Sequence, residues 1–244
     1  MNKDVKVLGH RGYRALYPEN TLLAFDKAFA AGAQGIECDV QKSRDGYYMI
    51  IHDDTIDGVS SQSGRVADMT LDALKQVDLG GGQRIPELEE LLKSLPADKL
   101  INIELKAETL TIDDCPPICN MLLAHLERKN LLVSSFEHSL LPYFKQRQVN
   151  TGMLLGENHL GLGIINIIRR ISAIQPECLN LPVEIFQHLN KHLVYLMIRL
   201  AKAFKKKIVF WTVNTEEQVA LICSIADVII TDDIDRILRI RNRA

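Results

Sequence analysis

The feature of this sequence that most restricts its fold is an alternation, repeated eight times, of short apolar runs with longer segments of helical periodicity. The runs are rich in β-branched residues, which is typical of strands covered on both faces. Eight strand and helix pairs within 244 residues predict an α/β fold, a (β/α)8 TIM barrel. The predicted strands are residues 5–8, 35–40, 100–105, 131–135, 151–155, 178–181, 207–213 and 228–231.

The segments between these strands predict the outer helices, and one of the connections is longer than the others. No linker, low-complexity stretch or repeat divides the chain, so residues 1–244 are expected to form a single domain. Residues 47–51 are predicted to form a hairpin with the second strand. Residues 53–84 then form a small insertion over the barrel top. The predicted helices are residues 20–31, 86–95, 112–129, 139–148, 163–173, 183–206, 216–224 and 234–241.

The second predicted strand carries an acidic face. Because side chains alternate along a strand, Glu37 and Asp39 point to one side, while Ile36, Cys38 and Val40 point to the other. Two adjacent carboxylates repel each other unless a positive group lies between them. The pattern therefore indicates a bound cation, although a solvated strand face is the alternative for most acidic pairs.

Further polar residues occur where other strands end. His10 follows the first strand, His52 ends the hairpin, and Glu104 lies on the inward face of the third strand. In a barrel these ends meet at one face. Three carboxylates without cysteine favour Mg²⁺ or Ca²⁺ over zinc, and two histidines suit proton transfer near neutral pH. Each residue alone has a structural interpretation, but together they indicate metal-assisted phosphoester chemistry.

The charge balance, the N-terminal sequence and the cysteine content restrict the cellular location of the protein and the partners that it could bind. The chain has 29 lysines and arginines against 31 acidic residues, so there is no global basic field that would favour nucleic acid. The N-terminus lacks a signal peptide pattern and no apolar run reaches membrane-spanning length, so we expect a cytoplasmic protein. Five scattered cysteines indicate reduced thiols, and the spacing of Cys115 and Cys119 lacks the second pair that a zinc site needs.

Several stretches resemble the glycerophosphodiester phosphodiesterase family in sequence and in order. They are GHRG at 9–12, PENT at 18–21, IECDV at 36–40, HDDT at 52–55, IPELEELL at 85–92, IELK at 103–106, SSF at 134–136, FWTVNT at 210–215 and IITD at 229–232. The resemblance implies a barrel enzyme that cleaves glycerophosphodiesters to glycerol 3-phosphate and an alcohol. It implies His10 and His52 as the catalytic pair, Glu37, Asp39 and Glu104 as metal ligands, Arg11 and Lys106 as phosphate contacts, and Trp211 as an apolar wall.

Two residues of the PENT stretch have supporting roles in our interpretation. We expect Asn20 to cap the first helix and Glu19 to support the His10 loop through hydrogen bonds, rather than to bind the metal directly. The chain also departs from the family pattern. Residues 52–59 lack the proline and arginine that usually follow the histidine, so the resemblance does not extend to substrate contacts in the insertion.

Three other activities fit the same residues. A lysophospholipase D type activity on acylated glycerophosphodiesters is one, a phospholipase C type reaction is another, and a non-catalytic barrel that binds phospholipid headgroups is the third. Residues 160–171 are unusually apolar for a segment that emerges at the catalytic face. They either pack on neighbouring helices or form a lid that admits acylated glycerophosphodiesters. In the second case the apolar side, beside Arg169 and Arg170, suits an anionic membrane surface or a lipid tail that leaves the cleft.

Overall fold

The computed structural model describes residues 5–156, 159, 161 and 163–243 of the chain. Within these residues nine strands form one sheet, and eight of them are parallel and close into a barrel because the first strand pairs with both the second and the last. The predicted TIM barrel is therefore confirmed. The strands are β1 (Lys6–His10), β2 (Gly35–Lys42), β3 (Tyr48–Ile50), β4 (Leu100–Leu105), β5 (Leu131–Ser135), β6 (Asn150–Leu154), β7 (Cys178–Pro182), β8 (Lys207–Trp211) and β9 (Val228–Thr231).

Helices surround the barrel on its outer side. Each helix that follows a barrel strand carries the chain back to the start of the next strand, as a parallel sheet requires. In the part of the chain that the structure describes, the helices are α1 (Leu22–Ala30), α2 (Leu71–Gln76), α3 (Leu88–Ser94), α4 (Cys115–His125), α5 (Leu141–Gln146), α6 (Ile164–Ile174), α7 (Ile185–His188), α8 (Lys191–Ala203), α9 (Glu216–Ile222) and α10 (Ile234–Arg243). Among the described residues, no helix is both long and apolar enough to cross a bilayer.

The connection between β2 and β4 contains the predicted hairpin and insertion. Strand β3 pairs antiparallel with the last residues of β2, where β2 extends beyond the barrel. The residues that follow include a 3₁₀ turn, Val66–Asp68, and helix α2. They enclose an apolar cluster of their own, in which Ile56, Leu74 and Ile85 are fully buried. The insertion therefore has its own packing beside the barrel mouth.

The alternation of side chains along the strands determines where the apolar core forms. Ile36, Cys38 and Val40 of β2 point outward into a cluster shared with the surrounding helices, while the opposite face of the strand points into the barrel. A second cluster between strands and helices is formed by the C-terminal half of the chain together with Val5 and Val7 at the first strand. A smaller cluster that includes Leu8 and Val209 fills the barrel interior. The polar face of β2 is thereby held rigidly inside the barrel.

One predicted helix, residues 183–206, is wrong as a single element. The chain forms two helices, α7 and α8, because it becomes extended at Leu189 and starts again at Asn190. The Asn190 side chain accepts a hydrogen bond from the backbone N–H of His192 at 2.9 Å, which is the capping arrangement of a new helix start. The apolar periodicity continues through the break, so periodicity alone did not reveal it.

Candidate active site

Three acidic side chains meet at the C-terminal mouth of the barrel. Glu37 and Asp39 come from β2 and Glu104 from β4, and one ligand oxygen of each lies within 4.8 Å of the others. Their exposed fractions are only 4%, 1% and 9%. The register between the strands explains the meeting, because Asp39 is paired with Glu104 across the sheet. The same parity places all three side chains inside the barrel.

The shared environment separates the pKa values of these carboxyl groups. Burial, together with the charges of Asp39 and Glu104, raises the pKa of Glu37 well above its ordinary value. Burial also raises the pKa of Glu104 to about 7, although Lys106 opposes the shift. Burial acts the same way on Asp39, but nearby basic groups, Lys106 first among them, outweigh it and lower the pKa of Asp39. The carboxyl groups therefore repel one another inside the barrel, and the nearby basic groups only partly offset that repulsion at Glu37 and Glu104.

Two basic side chains lie against the carboxylates. The Nζ atom of Lys106 is 3.0 Å from Asp39 Oδ1 and 2.6 Å from Glu104 Oε1. The Nε atom of Arg11 is 3.5 Å from Asp39 Oδ2. Burial lowers the pKa of Lys106, but the two carboxylates raise it by more, so the side chain stays protonated. Lys106 and Arg11 thus lie at the mouth, paired with the carboxylate cluster.

A tight turn after β1 positions Arg11. The residue has a positive φ of 53°, and its backbone N–H donates to Glu37 Oε2 at 3.1 Å. Gly12 follows with a φ of 85°, and a Cβ there would lie 2.6 Å from the backbone of Ala24. Only glycine fits such close packing against α1. The guanidinium donates to Glu19 Oε1 at 2.8 Å, so Glu19 supports the turn.

The expectation that Asn20 caps the first helix is wrong. Thr21 is the capping residue, since its side chain accepts a hydrogen bond from the backbone N–H of Ala24. Asn20 has a positive φ of 56° and directs its amide into the site, where Nδ2 donates to Asp39 Oδ2 at 2.9 Å. Its contribution is to orient a carboxylate. The local sequence offered two suitable capping residues in succession, and only the fold selects between them.

Each of the two histidines is hydrogen-bonded to a carboxylate through Nδ1. His10 Nδ1 is 2.7 Å from Asp232 Oδ1, and His52 Nδ1 is 2.6 Å from Asp53 Oδ1. A carboxylate accepts from the Nδ1–H tautomer, so Nε2 of a neutral ring is left as the proton acceptor. The geometry therefore provides two imidazoles with defined tautomers beside the carboxylate cluster.

The two histidine and aspartate pairs differ in how firmly they are held. Asp232 also accepts a hydrogen bond from Asn214 Nδ2 at 2.8 Å, whereas half of the Asp53 side chain is exposed. Burial raises the pKa of Asp232, but the hydrogen bond and charge of His10 outweigh it and bring the pKa to about 2. Burial lowers the pKa of His52. Asp232 thus remains ionised throughout the range in which histidine titrates.

An aromatic wall borders the site on the opposite side of the barrel. Trp211 ends β8 and packs edge to face with Phe136, with ring centroids 5.7 Å apart. Phe136 in turn stacks on His159 at 6.1 Å. The buried Trp211 Nε1 has no hydrogen-bond partner among the described residues. The wall therefore offers an apolar surface to a ligand in the cleft.

Sequence reasoning named all the charged residues at the barrel mouth described above except the partners of the histidines. Asp232 lies 222 residues from His10 in the chain, so no local pattern links them. A signal did exist, because the IITD, HDDT and FWTVNT stretches contain Asp232, Asp53 and Asn214. Reading those stretches as hydrogen-bond partners for the histidines would have identified them.

The donor set fits a hard divalent cation. Carboxylate oxygens are the ligands that Mg²⁺ and Ca²⁺ prefer. Glu37 and Glu104 have raised pKa values because the cluster is buried and its charges repel each other, and a cation placed between them would relieve that repulsion. The remaining cations, Arg11 and Lys106, lie beside the cluster and leave its oxygens converging on a common point.

Comparison with known proteins identifies the chain. The model of the glycerophosphoryl diester phosphodiesterase family matches residues 10–236. A glycerophosphodiester phosphodiesterase of Caldanaerobacter subterraneus is 31% identical over 250 residues, which cover 96% of each chain. The crystal structure of the glycerophosphodiester phosphodiesterase of Thermotoga maritima has a TM-score of 0.84 and 33% identity, and covers 97% of this chain and 98% of that one.

A third relative is similar in fold. The structure of an Oleispira antarctica phosphodiesterase in complex with its product sn-glycerol-3-phosphate has a TM-score of 0.82 at 24% identity, with 97% of this chain and 96% of that chain covered. Since the family model spans nearly the whole chain and a relative of matching length is 31% identical, the chain belongs to the glycerophosphoryl diester phosphodiesterase family of enzymes.

Proposed function

We propose that this enzyme hydrolyses glycerophosphodiesters to glycerol 3-phosphate and an alcohol, with a divalent cation and two histidines. The observation that carries the proposal is the placement of two histidine and aspartate pairs around three converging carboxylates at one end of the barrel. Relatives named for this activity and the product complex of the Oleispira antarctica enzyme support the substrate class. The whole arrangement suits phosphodiester cleavage better than phosphate binding alone.

Charge neutralisation is the first requirement of the reaction. Phosphodiesters resist attack because negative oxygens shield the phosphorus. A cation held by Glu37, Asp39 and Glu104 would supply Lewis-acid stabilisation of the phosphoryl oxygens. Arg11 and Lys106 contribute fixed positive charge beside the same position, and their contacts with the carboxylates hold them in place before substrate arrives. Such preorganised charges cost no rearrangement during the reaction.

Proton transfer is assigned to His10 and His52. One histidine accepts the proton of a glycerol hydroxyl as the hydroxyl oxygen attacks phosphorus, and the other donates a proton to the departing alkoxide. The resulting cyclic phosphate is opened by water with the two roles exchanged. Hydrogen bonds at Nδ1 leave Nε2 of each ring for these transfers. Trp211 and Phe136 border the cleft and exclude water from one side of the substrate.

Activity on acylated glycerophosphodiesters is a second candidate, which one observation favours. Ile165 and Ile168 of α6 are 64% and 54% exposed, so this helix presents an apolar side to solvent. The predicted lid, residues 160–171, is only partly covered by the structure, because Leu160 and Leu162 lie outside the described residues. Replacing Ile165 by Ser would reduce hydrolysis of a lysolipid and spare glycerophosphocholine if this segment holds an acyl chain. Equal losses on both substrates would favour ordinary packing.

The deciding experiment for the main proposal is a product assay. Purified protein is treated with chelator and then supplied with Mg²⁺ or Ca²⁺, with glycerophosphocholine, glycerophosphoethanolamine and a lysolipid as substrates. We expect glycerol 3-phosphate from at least one of them, only with added cation, and a loss of activity in Glu37→Gln. Full turnover after chelation, or release of a phosphorylated alcohol in place of glycerol 3-phosphate, would contradict the proposal.

A further inference from the structure

Helices α6 and α8 carry more exposed apolar surface than a helix of the outer barrel layer needs. On α8, Val194 and Ile198 face the core and are almost fully buried. Leu193, Leu196 and Leu200 lie beside them, and each is about half exposed, at 47%, 55% and 54%. The apolar arc of α8 is therefore wider than its contact with the barrel.

The exposed residues form one continuous stripe. Leu193, Leu196, Leu200 and Phe204 recur at intervals of three or four residues, so they line the same side of the helix and its C-terminal cap. Phe204 is 76% exposed. At about 1.5 Å per residue the stripe is about 16 Å long. Such a length and regularity distinguish it from the scattered exposed apolar residues that all proteins carry.

An apolar groove lies between the stripe and α6. It has a volume of about 370 Å³. Its walls include Ile167, Ile168 and Ile171 of α6 and Met197, Leu200 and Phe204 at α8. The groove opens on the outer side of the barrel, away from the carboxylate cluster, and no residue of the proposed catalytic machinery lines it. The groove and the stripe together form one surface, which we call the α6–α8 surface.

Basic residues surround the α6–α8 surface. Residues 163–207 contain eight lysines and arginines and only two acidic residues, which gives this segment a net charge of +6, whereas the whole chain has −2. Arg169, Arg199 and Lys205 are exposed beside the apolar residues. Six of the ten large apolar residues that are exposed in the described part of the chain lie in the same segment, so exposed apolar side chains and positive charge occur together there.

From this combination we propose that the α6–α8 surface binds the surface of an anionic phospholipid membrane. Exposed apolar side chains enter the interface between headgroups and acyl chains, while the basic rim contacts anionic headgroups. Pairing with a second copy of this chain is the main alternative for an apolar surface. In a two-fold symmetric dimer the same basic rim would face itself, and the repulsion disfavours that arrangement.

The position of the α6–α8 surface on the barrel determines how the bound protein would be oriented on the membrane. Helix α8 follows β7 and runs back from the catalytic end, so the Leu193 end of the stripe lies towards the barrel mouth and the Phe204 end lies at the opposite face. The protein would lie on its side against the membrane with the edge of its cleft at the lipid surface. Binding itself requires neither substrate nor cation, and it stands independently of the catalytic proposal.

Vesicle flotation of the full chain in the presence of chelator tests the proposal. We expect the protein to float with vesicles of phosphatidylcholine mixed with phosphatidylglycerol, to float far less with phosphatidylcholine alone, and to be released by high salt. Arg199→Gln combined with Lys205→Gln should weaken binding roughly thirtyfold. The control pair, Arg44→Gln with Lys129→Gln, removes two exposed charges elsewhere and should leave binding unchanged.

Substitutions in the apolar stripe test the apolar contribution to vesicle binding. Leu200→Ser should reduce flotation about tenfold, whereas Ile112→Ser, which removes a similarly exposed residue outside the surface, should not. Melting temperatures and turnover of a water-soluble substrate report whether the variants remain folded. Equal flotation on neutral and anionic vesicles, or equal effects of the surface and control variants, would overturn the proposal. It would also fail if light scattering showed a dimer that Leu200→Ser converts to a monomer.

Discussion

His10 and His52, the histidines of the proposed proton transfer, occupy environments that are similar in chemistry and different in exposure. The side chain of His10 is 13% exposed and its partner Asp232 is 22% exposed, whereas the corresponding values for His52 and Asp53 are 32% and 50%. Asp232 is held further by Asn214. A fixed carboxylate orients an imidazole and stabilises its protonated form more effectively than one that moves in solvent.

This difference predicts unequal effects of removing the two carboxylates. Asp232→Asn should lower kcat by at least about tenfold, because the His10 ring loses the partner that sets its tautomer, and KM should change little. Asp53→Asn is the matched variant and should have a smaller effect, since its side chain is half exposed. The pH profile of kcat should shift only in Asp232→Asn. A larger loss in Asp53→Asn would show that the solvent-exposed pair carries the more demanding proton transfer.

The roles of the histidines are separable by the leaving group. Replacing either His10 or His52 by Ala should reduce turnover of glycerophosphocholine by about 10²- to 10⁴-fold, because a positioned acid or base is lost. A substrate with a nitrophenol leaving group needs no protonation, so it should restore the rate of the variant that lacks the acid and leave the other variant slow. If neither variant responded to the leaving group, His10 and His52 would not be an acid and base pair.

At the scale of elements, register determined what the sequence could reveal. The period of two placed Glu37 and Asp39 on one face of β2, and the same rule on β4 brought Glu104 to them. Contacts between residues far apart in the chain could not be predicted in this way, because no local pattern connects His10 with Asp232. The start of the first helix was predicted wrongly for a related reason, because Asn20 is held by its hydrogen bond to Asp39 of β2 and Thr21 is the cap.

One buried acidic residue, Asp114, joins the end of β2, strand β3 and the start of α4. It accepts hydrogen bonds from Lys42 Nζ at 2.6 Å, from the Tyr48 hydroxyl at 3.1 Å and from the backbone N–H of Thr111 at 2.9 Å. Burial raises the pKa of Asp114, but these hydrogen bonds and the charge of Lys42 outweigh it and lower the pKa below its ordinary value. The carboxylate is therefore a structural anion outside the catalytic site.

Asp114→Asn should destabilise the protein in a pH-dependent way. At neutral pH the loss is about 2 kcal/mol, the usual size for hydrogen bonds to a charged group. Because the folded-state pKa is the lower one, the stabilisation is present above the unfolded-state pKa of about 3.9 and disappears as pH falls through the folded value. Urea unfolding should separate variant and wild type at pH 7 and bring them together in strong acid. Asp113→Asn, an exposed neighbour, is the control and should match wild type at both pH values.

For the whole molecule, the distribution of charge distinguishes two regions, the barrel mouth and the α6–α8 surface. The barrel mouth concentrates buried carboxylates with Arg11 and Lys106, while lysines and arginines outnumber acidic residues by six along residues 163–207. The residues at the barrel mouth could be predicted from the sequence because the C-terminal ends of parallel barrel strands lie at the same face. The α6–α8 surface could be predicted only in part, because the exposed fraction of Leu196 or Phe204 depends on how two helices pack against each other.

Cation binding should stabilise the entire barrel. Glu37 and Asp39 of β2 face Glu104 of β4, so repulsion among them opposes the closure of the barrel mouth. A bound cation should remove this repulsion, and binding only to the folded state stabilises it by about 2.7 kcal/mol at a concentration 100 times the Kd. For a chain of this size the melting temperature should rise by roughly 5–10 °C on adding Mg²⁺ or Ca²⁺.

The variant Glu37→Gln tests this prediction more sharply, because it removes a proposed metal ligand and a source of repulsion at once. In chelator its melting temperature should equal or exceed that of wild type, and in the presence of cation it should be lower. A variant that responds to cation as wild type does, or that melts lower in chelator and gains the same increment, would exclude Glu37 from the metal site.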